Sequence, residues 1–256
     1  MYYLYLCFLL LLGIPPVFAE EILITSSPDR DEVVFDGRWS FMWEWKRTSF
    51  TDLFYDDAAE IKLRTAHQGD FLYVFVDFVS DEVINKGSDR TLVCIDSENN
   101  KSKISDENDY CFSVALERNG FTYQGGSPLK LHGNFNKIPN HPDFIAVSAV
   151  SNEHDRYSTT PHTGFEFKIP IELFGRSNNY GFFVSVYDDH SKKTYTWPQN
   201  VELKSPFDIP SPSKWGDIIS PDNTLPEFNW PIFSLVILLL VPIFLIRKIN
   251  FRLNNF

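Results

Sequence analysis

The feature of this sequence that most constrains its fold is a pair of apolar runs joined by a tight-turn sequence. Residues 59–67 and 71–78 flank Gln68-Gly69-Asp70, which is typical of a β-hairpin. In the second run both sets of alternating positions are apolar, so a strand formed here would bury both of its faces. The sequence therefore predicts a hairpin whose second strand lies in the centre of a sheet.

Six further runs of β-branched and aromatic residues are separated by turn residues, as in antiparallel sheets. They are residues 91–96, 110–117, 121–123, 144–150, 164–169 and 180–187. Residues 171–175, after a proline, predict one short helical turn. The body of the sequence shows neither helical periodicity over ten residues nor an internal repeat. These observations predict an all-β fold, an antiparallel β-sandwich of the jelly-roll type over residues 20–220.

Composition and motifs exclude several classes of function. With 43% hydrophobic and 16% aromatic residues, the chain is too apolar to be disordered. Its net charge of −11 argues against nucleic acid as a partner, because phosphate binding depends on clustered Lys and Arg. The sequence contains no G-x-S-x-G, H-E-x-x-H or C-x-x-C motif. We therefore expect a protein that is not an enzyme.

The first nineteen residues have the character of a signal peptide. An apolar run at residues 4–14 is followed by Pro15-Pro16 and by Val17-Phe18-Ala19, which resembles a small-x-small cleavage site. The segment before the apolar run has no Lys or Arg, so an uncleaved N-terminal anchor is the alternative. Either interpretation directs residues 20–220 across a membrane.

The C-terminal part of the sequence predicts a membrane anchor. Residues 230–246 are apolar throughout and are followed at once by Arg247-Lys248. Basic residues are retained on the cytoplasmic side, so residues 247–256 are expected in the cytoplasm and residues 20–220 outside. A buried helix of a soluble protein is the alternative. We expect a cell-surface protein that is attached to the membrane by its C-terminal helix.

The linker at residues 221–229 contains Pro226-Glu227-Phe228. Together with the apolar span and the basic residues after it, this motif resembles the PEF-type C-terminal sorting signals of archaeal surface proteins. The resemblance implies recognition by an archaeosortase and cleavage near the motif. A plain transmembrane anchor would give the same location.

Several motifs in the body occur in the order typical of one family. They are Phe35-Asp36-Gly37-Arg38-Trp39, Leu72-Tyr73-Val74-Phe75-Val76-Asp77 with Asp81, Val93-Cys94-Ile95-Asp96, the run from Gly164 to Gly175, the run from Gly181 to Asp189 with Trp197, and Trp215-Gly216. Between about residues 36 and 220, the chain resembles the carbohydrate-binding module family 9-like (DOMON-like) domains.

This resemblance implies a β-sandwich, non-catalytic binding of sugar and a structural calcium ion. The implied partner is a carbohydrate, either external or in the cell's own glycoprotein coat. An alternative is a structural cell-envelope protein that keeps the sandwich without a sugar site and engages protein partners. Some domains similar to the family bind haem, but Met42 is the only methionine after residue 19, and no haem is expected.

Aromatic side chains are the candidates for sugar binding, because their faces complement the C–H face of a pyranose ring. Trp39 and Trp45 occupy positions that usually pack in the core of the family. If residues 39–45 formed a strand, alternation would place these two tryptophans and Trp43 on one face. The residues predicted to contact the ligand are Trp43, Trp197, Tyr195 and Tyr187.

Acidic residues near predicted strand ends are the candidate calcium ligands, since calcium prefers clustered carboxylate oxygens. The predicted set is Asp77, Asp81, Asp188 and Asp189, and residues 106–109 form a further acidic group. None has the spacing of an EF-hand loop. For each group the alternative is a solvated acidic loop.

Two cysteines remain once the signal peptide is removed. Cys94 and Cys111 lie in neighbouring predicted strands outside the cytosol, where a disulfide can persist. The alternatives are a bridge between them and two buried free thiols. Asn100-Lys101-Ser102, in the connection between these strands, is a glycosylation sequon, and Asn100 is the predicted acceptor.

Overall fold

The structure is a computed structural model that describes residues 20–27, 30, 33–129, 131–199 and 201–221, with the side chains of residues 131 and 132 excluded. The predicted signal peptide at 1–19, the motif Pro226-Glu227-Phe228, the span 230–246 and the tail 247–256 lie outside these residues. They stay predictions. None of the helical segments within the described ranges has the length and hydrophobicity needed to span a bilayer.

Within the described ranges the chain forms two sheets and only short helical turns. The strands are β1 (Glu21–Leu23), β2 (Ser49–Phe54), β3 (Glu60–Gln68), β4 (Phe71–Phe78), β5 (Arg90–Asp96), β6 (Asp109–Ala115), β7 (Phe121–Gln124), β8 (Asn136–Ile138), β9 (Ile145–Val150), β10 (Thr163–Pro170), β11 (Asn179–Asp188), β12 (Lys193–Trp197) and β13 (Gly216–Ile219). Single 3-10 turns occupy Leu131–Asn134, Ile171–Leu173 and Pro212–Lys214.

The larger sheet has the order β1-β13-β11-β5-β6-β7-β8. β12 and β13 pair with different parts of the same edge of β11, β13 with its first half and β12 with its second. The smaller sheet has the order β2-β3-β4-β10-β9. Neighbouring strands are antiparallel except for β1 and β13, which are parallel. The all-β prediction is confirmed, and the two sheets are consistent with a β-sandwich.

The predicted hairpin is confirmed as β3 and β4. Lys62 pairs with Asp77 and Gln68 with Phe71 across the turn. As its pattern predicts, β4 lies in the middle of the smaller sheet, with β10 on its other side. The inward positions of both sheets form one apolar core, to which β4 contributes Leu72, Val74, Val76 and Phe78 and β11 contributes Phe182, Val184 and Val186. Burial of this kind is the main stabilising contribution to a sandwich.

The segment before β2 covers the outer face of the smaller sheet. Trp39 and Trp45 are buried there against Tyr73 and Phe75, so the predicted core role of these two tryptophans is confirmed. Residues 42–47 form turns, so the condition of a strand, under which alternation would place the tryptophans on one face, is not met. Turns let two tryptophans point inward while Trp43 between them points to solvent.

A buried carboxylate on β10 holds this segment in place. Glu166 accepts hydrogen bonds from the backbone N–H groups of Asp36 and Gly37, at 2.9 and 2.7 Å, and from the indole N–H of Trp45 at 2.9 Å. Burial raises the pKa of Glu166, and the donors oppose that rise. Gly37 has φ of +88°, and a Cβ there would lie 2.3 Å from the backbone of Ser148 and Ala149. Only glycine fits this close approach.

Candidate functional site

The outer face of the larger sheet carries a recess that is partly aromatic and partly polar. Its floor consists of outward-facing side chains from four strands, namely Arg90 and Leu92 of β5, Ser113 of β6, Tyr123 of β7, and Ser185 and Tyr187 of β11. Residues 206–209, in the connection between β12 and β13, form a wall. The recess has a volume of about 100 Å³.

The strand register explains why these side chains meet. Arg90 lies opposite Tyr187 across β5 and β11, and Leu92 lies opposite both Ser185 and Ser113. Since side chains alternate between the faces of a strand, residues in register on adjacent strands form rows on one face. The recess therefore follows from pairing of β11, β5 and β6.

Phe207 and Tyr187 supply the aromatic part of the recess. Their rings lie 4.8 Å apart between centroids in an edge-to-face arrangement, and the guanidinium carbon of Arg90 lies 4.4 Å from the centroid of Phe207. Phe207 is 45% exposed, so it keeps free apolar surface. Together with the nearby serine hydroxyls, this offers an apolar surface beside hydrogen-bonding groups.

Two residues outside the recess, Asp189 and Lys192, orient the Tyr187 hydroxyl. It donates a hydrogen bond to Asp189 at 3.1 Å, and Lys192 lies 2.7 Å from the same carboxylate oxygen. Burial and this hydrogen bond raise the pKa of Tyr187, whereas Lys192 lowers the pKa of Asp189. Tyr187 therefore stays protonated at neutral pH. At 6% exposure its ring supports Phe207 from below, and Phe207 carries the exposed aromatic surface.

A second recess of about 500 Å³ shares Asp208 and Ile209 with the first. Its lining includes Lys103, Lys204 and Lys214 with Glu202 and Ser105. Because the two recesses share a wall, a ligand larger than one ring can contact both.

Of the four residues predicted to contact ligand, only Tyr187 lies in the first recess. Trp197 is 3% exposed and packs against Phe182 in the core, and Tyr195 is buried against Tyr55 and Phe78. The structure thus corrects the expected surface location of Trp197 and Tyr195. Both belong to the inward-facing set of β12, which pairs with β11 and closes over the apolar core.

Trp43 is 55% exposed, as a ligand platform requires, but it lies on the turn segment before β2 and not in the recess. The ammonium of Lys46 lies 4.1 Å from the centroid of its ring. One face of this indole is therefore already covered by a cation.

The predicted calcium ligands separate into different environments. Asp81 is buried, accepts a hydrogen bond from Thr163 at 2.8 Å, and has its pKa raised to about 7 by burial and by the charges of Asp89 and Asp188. Asp77 instead contacts His162, and Asp189 contacts Lys192. The predicted set therefore does not converge as a single group of ligands. Asp89 instead interacts with both Asp188 and Asp189, and it accepts a hydrogen bond from the backbone N–H of Asp189 at 3.0 Å.

Cys94 and Cys111 are joined by a disulfide on the same outer face as the recess. They are direct partners in the register of β5 and β6, with Cα atoms 4.1 Å apart. The bridge lies one row from Leu92 and Ser113 and so ties the floor of the recess together.

Asn100 is exposed in the connection after β5. Its side-chain amide donates a hydrogen bond to Asp106 at 3.0 Å, and its carbonyl accepts one from the backbone of Ser102 at 2.9 Å. Its location on the surface is compatible with the predicted glycosylation.

Sequence reasoning missed most of the recess. Ser113 and Ser185 interrupt apolar strands at outward positions, which is a signal that those positions face a site and not a core. Phe207 follows Pro206 in a segment without strand character, so nothing in its neighbourhood indicated that it would fold back over β11.

Comparison with solved structures identifies the fold. A carbohydrate-binding module of family 9 from Caldicellulosiruptor kristjanssonii, in complex with cellotriose, superposes with a TM-score of 0.52 at 14% sequence identity, over 82% of this chain and 100% of the module. The chain shares the fold of this module. A module of the same family and organism in complex with glucose gives a TM-score of 0.52 at 15% identity, over 81% of this chain and 100% of the module. No protein-family model and no curated protein matches the sequence.

Proposed function

We propose that this protein is a non-catalytic carbohydrate-binding module and that the recess on β5, β6, β7 and β11 receives the sugar. The observation that carries this proposal is the combination of Tyr187 and Phe207 with the hydroxyls of Ser113 and Ser185 in one recess. It is supported by a fold shared with modules that bind cellotriose and glucose. Aromatic surface contacts the C–H face of a sugar ring, while hydroxyl and guanidinium groups bond its oxygens.

The dimensions of the site indicate how a sugar would enter. A volume of about 100 Å³ is well below the roughly 300–1,000 Å³ of pockets that enclose a whole ligand. The recess therefore accepts one ring or the end of a chain, and the neighbouring recess of about 500 Å³ accommodates the residues that follow. Arg90 and Asp208 provide charged hydrogen-bonding groups at the boundary.

A structural calcium ion is part of the proposal. Asp81, Asp89 and Asp188 offer hard oxygen donors of the kind calcium prefers. Burial is the main cause of the raised pKa of Asp81, and the charges of Asp89 and Asp188, which a cation would neutralise, add to it. These residues would hold the ion, which would tie the connection after β4 to the end of β11.

We also propose that the module acts at the cell surface. The apolar segments at residues 1–19 and 230–246, with basic residues after the second, support export followed by membrane anchoring. Pro226-Glu227-Phe228 supports processing of the tail. Treating intact cells with an external protease tests the topology, since residues 20–220 should be degraded and a tag after residue 256 protected.

The test of sugar binding is a calorimetric titration of the full-length protein with glucose, cellotriose and a panel of oligosaccharides. A detergent without a sugar headgroup avoids competition for the recess. Saturable binding is expected, and Phe207→Ala should weaken it about 5- to 30-fold, corresponding to about 1–2 kcal/mol. Trp43→Ala is the matched control, because this indole is also exposed, 55% against 45% for Phe207, but lies outside the recess.

The same titration distinguishes the alternatives. If Trp43→Ala removes binding and Phe207→Ala does not, the ligand lies on the turn segment before β2 and the recess is not the site. If the wild-type protein is folded but binds no sugar, either in the presence of calcium or in the presence of a chelator, the structural cell-envelope function is favoured. Loss of binding in chelator alone would support the calcium ion.

A further inference from the structure

Two acidic side chains and a histidine meet at one end of the smaller sheet. Asp77 is next to last in β4, His162 immediately precedes β10, and Asp155 belongs to the connection 151–162 between β9 and β10. His162 is 0% exposed and Asp77 1%, and the Asp155 side chain is 2% exposed. None of these three groups belongs to the proposed sugar site.

The ligand atoms of this cluster are close enough to share one metal ion. His162 Nε2 lies 2.8 Å from Asp77 Oδ1 and 3.6 Å from Asp155 Oδ1. In a tetrahedral zinc site, bonds of about 2.0–2.1 Å place neighbouring ligand atoms about 3.3 Å apart. Among the described residues, this is the group of His, Cys, Asp and Glu whose ligand atoms all lie within 4.8 Å of one another.

Hydrogen bonds on the far side of the ring determine which nitrogen faces the carboxylates. His162 Nδ1 lies 2.8 Å from the carbonyl oxygen of Thr160 and 2.9 Å from Ser151 Oγ. Because a carbonyl only accepts hydrogen bonds, Nδ1 carries a proton. A metal-bound histidine characteristically donates its other ring N–H to a backbone carbonyl in this way. Nε2 is therefore the atom that faces both carboxylates.

Positive charge in front of Nε2, from a proton on the ring or from a metal ion, would stabilise this cluster. A neutral ring would direct its Nε2 lone pair at two buried carboxylates, which is electrostatically unfavourable. Lys62, opposite Asp77 in the register, directs its ammonium to Asp52 and Glu60. Within the described ranges, neither His162 Nε2 nor Asp77 Oδ2 makes an aligned hydrogen bond despite being buried. A metal ion bound to both atoms would supply the partner that neither finds in a hydrogen bond.

We propose that Asp77, Asp155 and His162 bind one divalent transition metal ion of the zinc type. One imidazole with two carboxylates is a donor set for such ions, whereas the all-oxygen set at Asp81, Asp89 and Asp188 is suited to calcium. The two sites are therefore chemically distinct. The transition metal site does not depend on the sugar-binding function.

The ion would fasten the 151–162 connection to the smaller sheet. This connection carries Tyr157, whose hydroxyl accepts a hydrogen bond from Arg64 at 2.7 Å and whose ring packs edge-on against Trp39 with centroids 5.8 Å apart. Since Asp155 lies two residues before Tyr157, an ion held by Asp155 fixes the position of that ring. Metal binding thus stabilises the outer layer of the smaller sheet.

The experiment measures metal binding by the full-length protein. The chain is unfolded with a chelator, refolded with Zn²⁺ or Co²⁺, desalted and analysed for metal content, while visible absorption reports the environment of Co²⁺. We expect one ion per chain, a higher thermal midpoint than the metal-free protein, and retention of the ion in excess Ca²⁺. Refolding with the ion present avoids slow entry into a buried site.

Asp155→Asn is the decisive variant, because the connection that carries it is the part of the site least embedded in the sheets. It should lower the affinity for Zn²⁺ at least about 10-fold. Loss of a group that only hydrogen-bonds to a metal ligand already lowers metal affinity by about 10- to 100-fold. His162→Gln should remove binding. Asp109→Asn is the control, since it neutralises a buried carboxylate on β6, in the other sheet, and should leave Zn²⁺ affinity unchanged.

Two results would overturn the proposal. One is refolded wild-type protein with no bound ion. The other is an Asp155→Asn variant that binds Zn²⁺ as tightly as wild type. Either would make the cluster a buried imidazolium–carboxylate pair. If His162→Gln does not fold, the Asp155→Asn comparison still decides.

Discussion

The indole N–H of Trp45 donates a hydrogen bond to Glu166, 2.9 Å away and 121 residues later in the chain. Glu166 also accepts hydrogen bonds from two backbone N–H groups, those of Asp36 and Gly37. Three donors from one segment therefore converge on one buried carboxylate of β10. This arrangement attaches the outer aromatic layer to the smaller sheet.

Replacing Glu166 with Gln should lower the free energy of unfolding by about 1–3 kcal/mol, because the amide would place an NH₂ group against one of the buried donors. Urea unfolding followed by circular dichroism measures the change. Glu153→Gln is the control, since this side chain is 81% exposed and should change stability by less than about 0.5 kcal/mol. Equal effects of both substitutions would contradict the anchoring role of Glu166.

Replacing Trp197 with Ala should destabilise the protein by about 3–5 kcal/mol, because it removes a large buried side chain and leaves a cavity beside Phe182. Trp43→Ala should cost no more than about 1 kcal/mol, the value of an exposed cation–π contact with Lys46. Both values come from denaturant unfolding. A Trp197→Ala variant as stable as Trp43→Ala would place Trp197 outside the core.

Loss of the Cys94–Cys111 disulfide should cost about 3 kcal/mol, since it closes a loop with a sequence separation of 17 residues. The measurement compares denaturant midpoints with and without reductant. A double variant with Ala at both positions is the control, and reductant should not shift its midpoint. A wild-type midpoint that does not respond to complete reduction would show that the bridge contributes nothing to stability.

Asp109 should make the protein progressively less stable as the pH rises from about 4 to about 8. Burial and the neighbouring charges of Asp96 and Asp106 raise the pKa of Asp109 to about 8, above its unfolded value near 4. The folded state therefore binds the proton more tightly. The stabilisation is fully present below about pH 4, decreases between pH 4 and 8, and is lost above pH 8.

Asp109→Asn should remove this pH dependence and stabilise the protein by roughly several kcal/mol at pH 8.5. The amide keeps an oxygen for the backbone N–H of Asp106, which Asp109 Oδ2 accepts at 2.8 Å. Thermal unfolding of both proteins between pH 4 and 9 provides the comparison. Parallel pH profiles would mean that Asp109 does not titrate in this range.

The sequence predicted the strands that carry a strong local pattern. β4 is apolar on both faces and was identified with its observed bounds, because double-sided burial leaves a signature that does not depend on its neighbours. β1, β8 and β13 were missed, since three or four residues cannot show an alternation, and the five-residue β12 was missed as well. β2 was missed because Phe50 and Phe54, which are exposed, occupy its outward positions.

The candidate sites were only partly accessible to sequence reasoning. Tyr187, Tyr195 and Trp197 were predicted alike because their residue types suit a sugar platform. All three are buried, but Tyr187 lies on the outer face of the larger sheet and the other two lie in the core. Residue type does not distinguish the two faces of a strand. The distinction comes from which face of β11 and β12 packs against the smaller sheet.

What the sequence alone determined about this protein is its all-β class, its central hairpin and the core role of Trp39 and Trp45, because these follow from periodicity and side-chain chemistry within short stretches. Only the tertiary structure decided which distant groups meet. The recess joins β5 and β11 to Phe207, and the metal-ligand cluster joins β4 to residues of the 151–162 connection. Such meetings depend on strand order and register, which are set by packing over the whole sandwich.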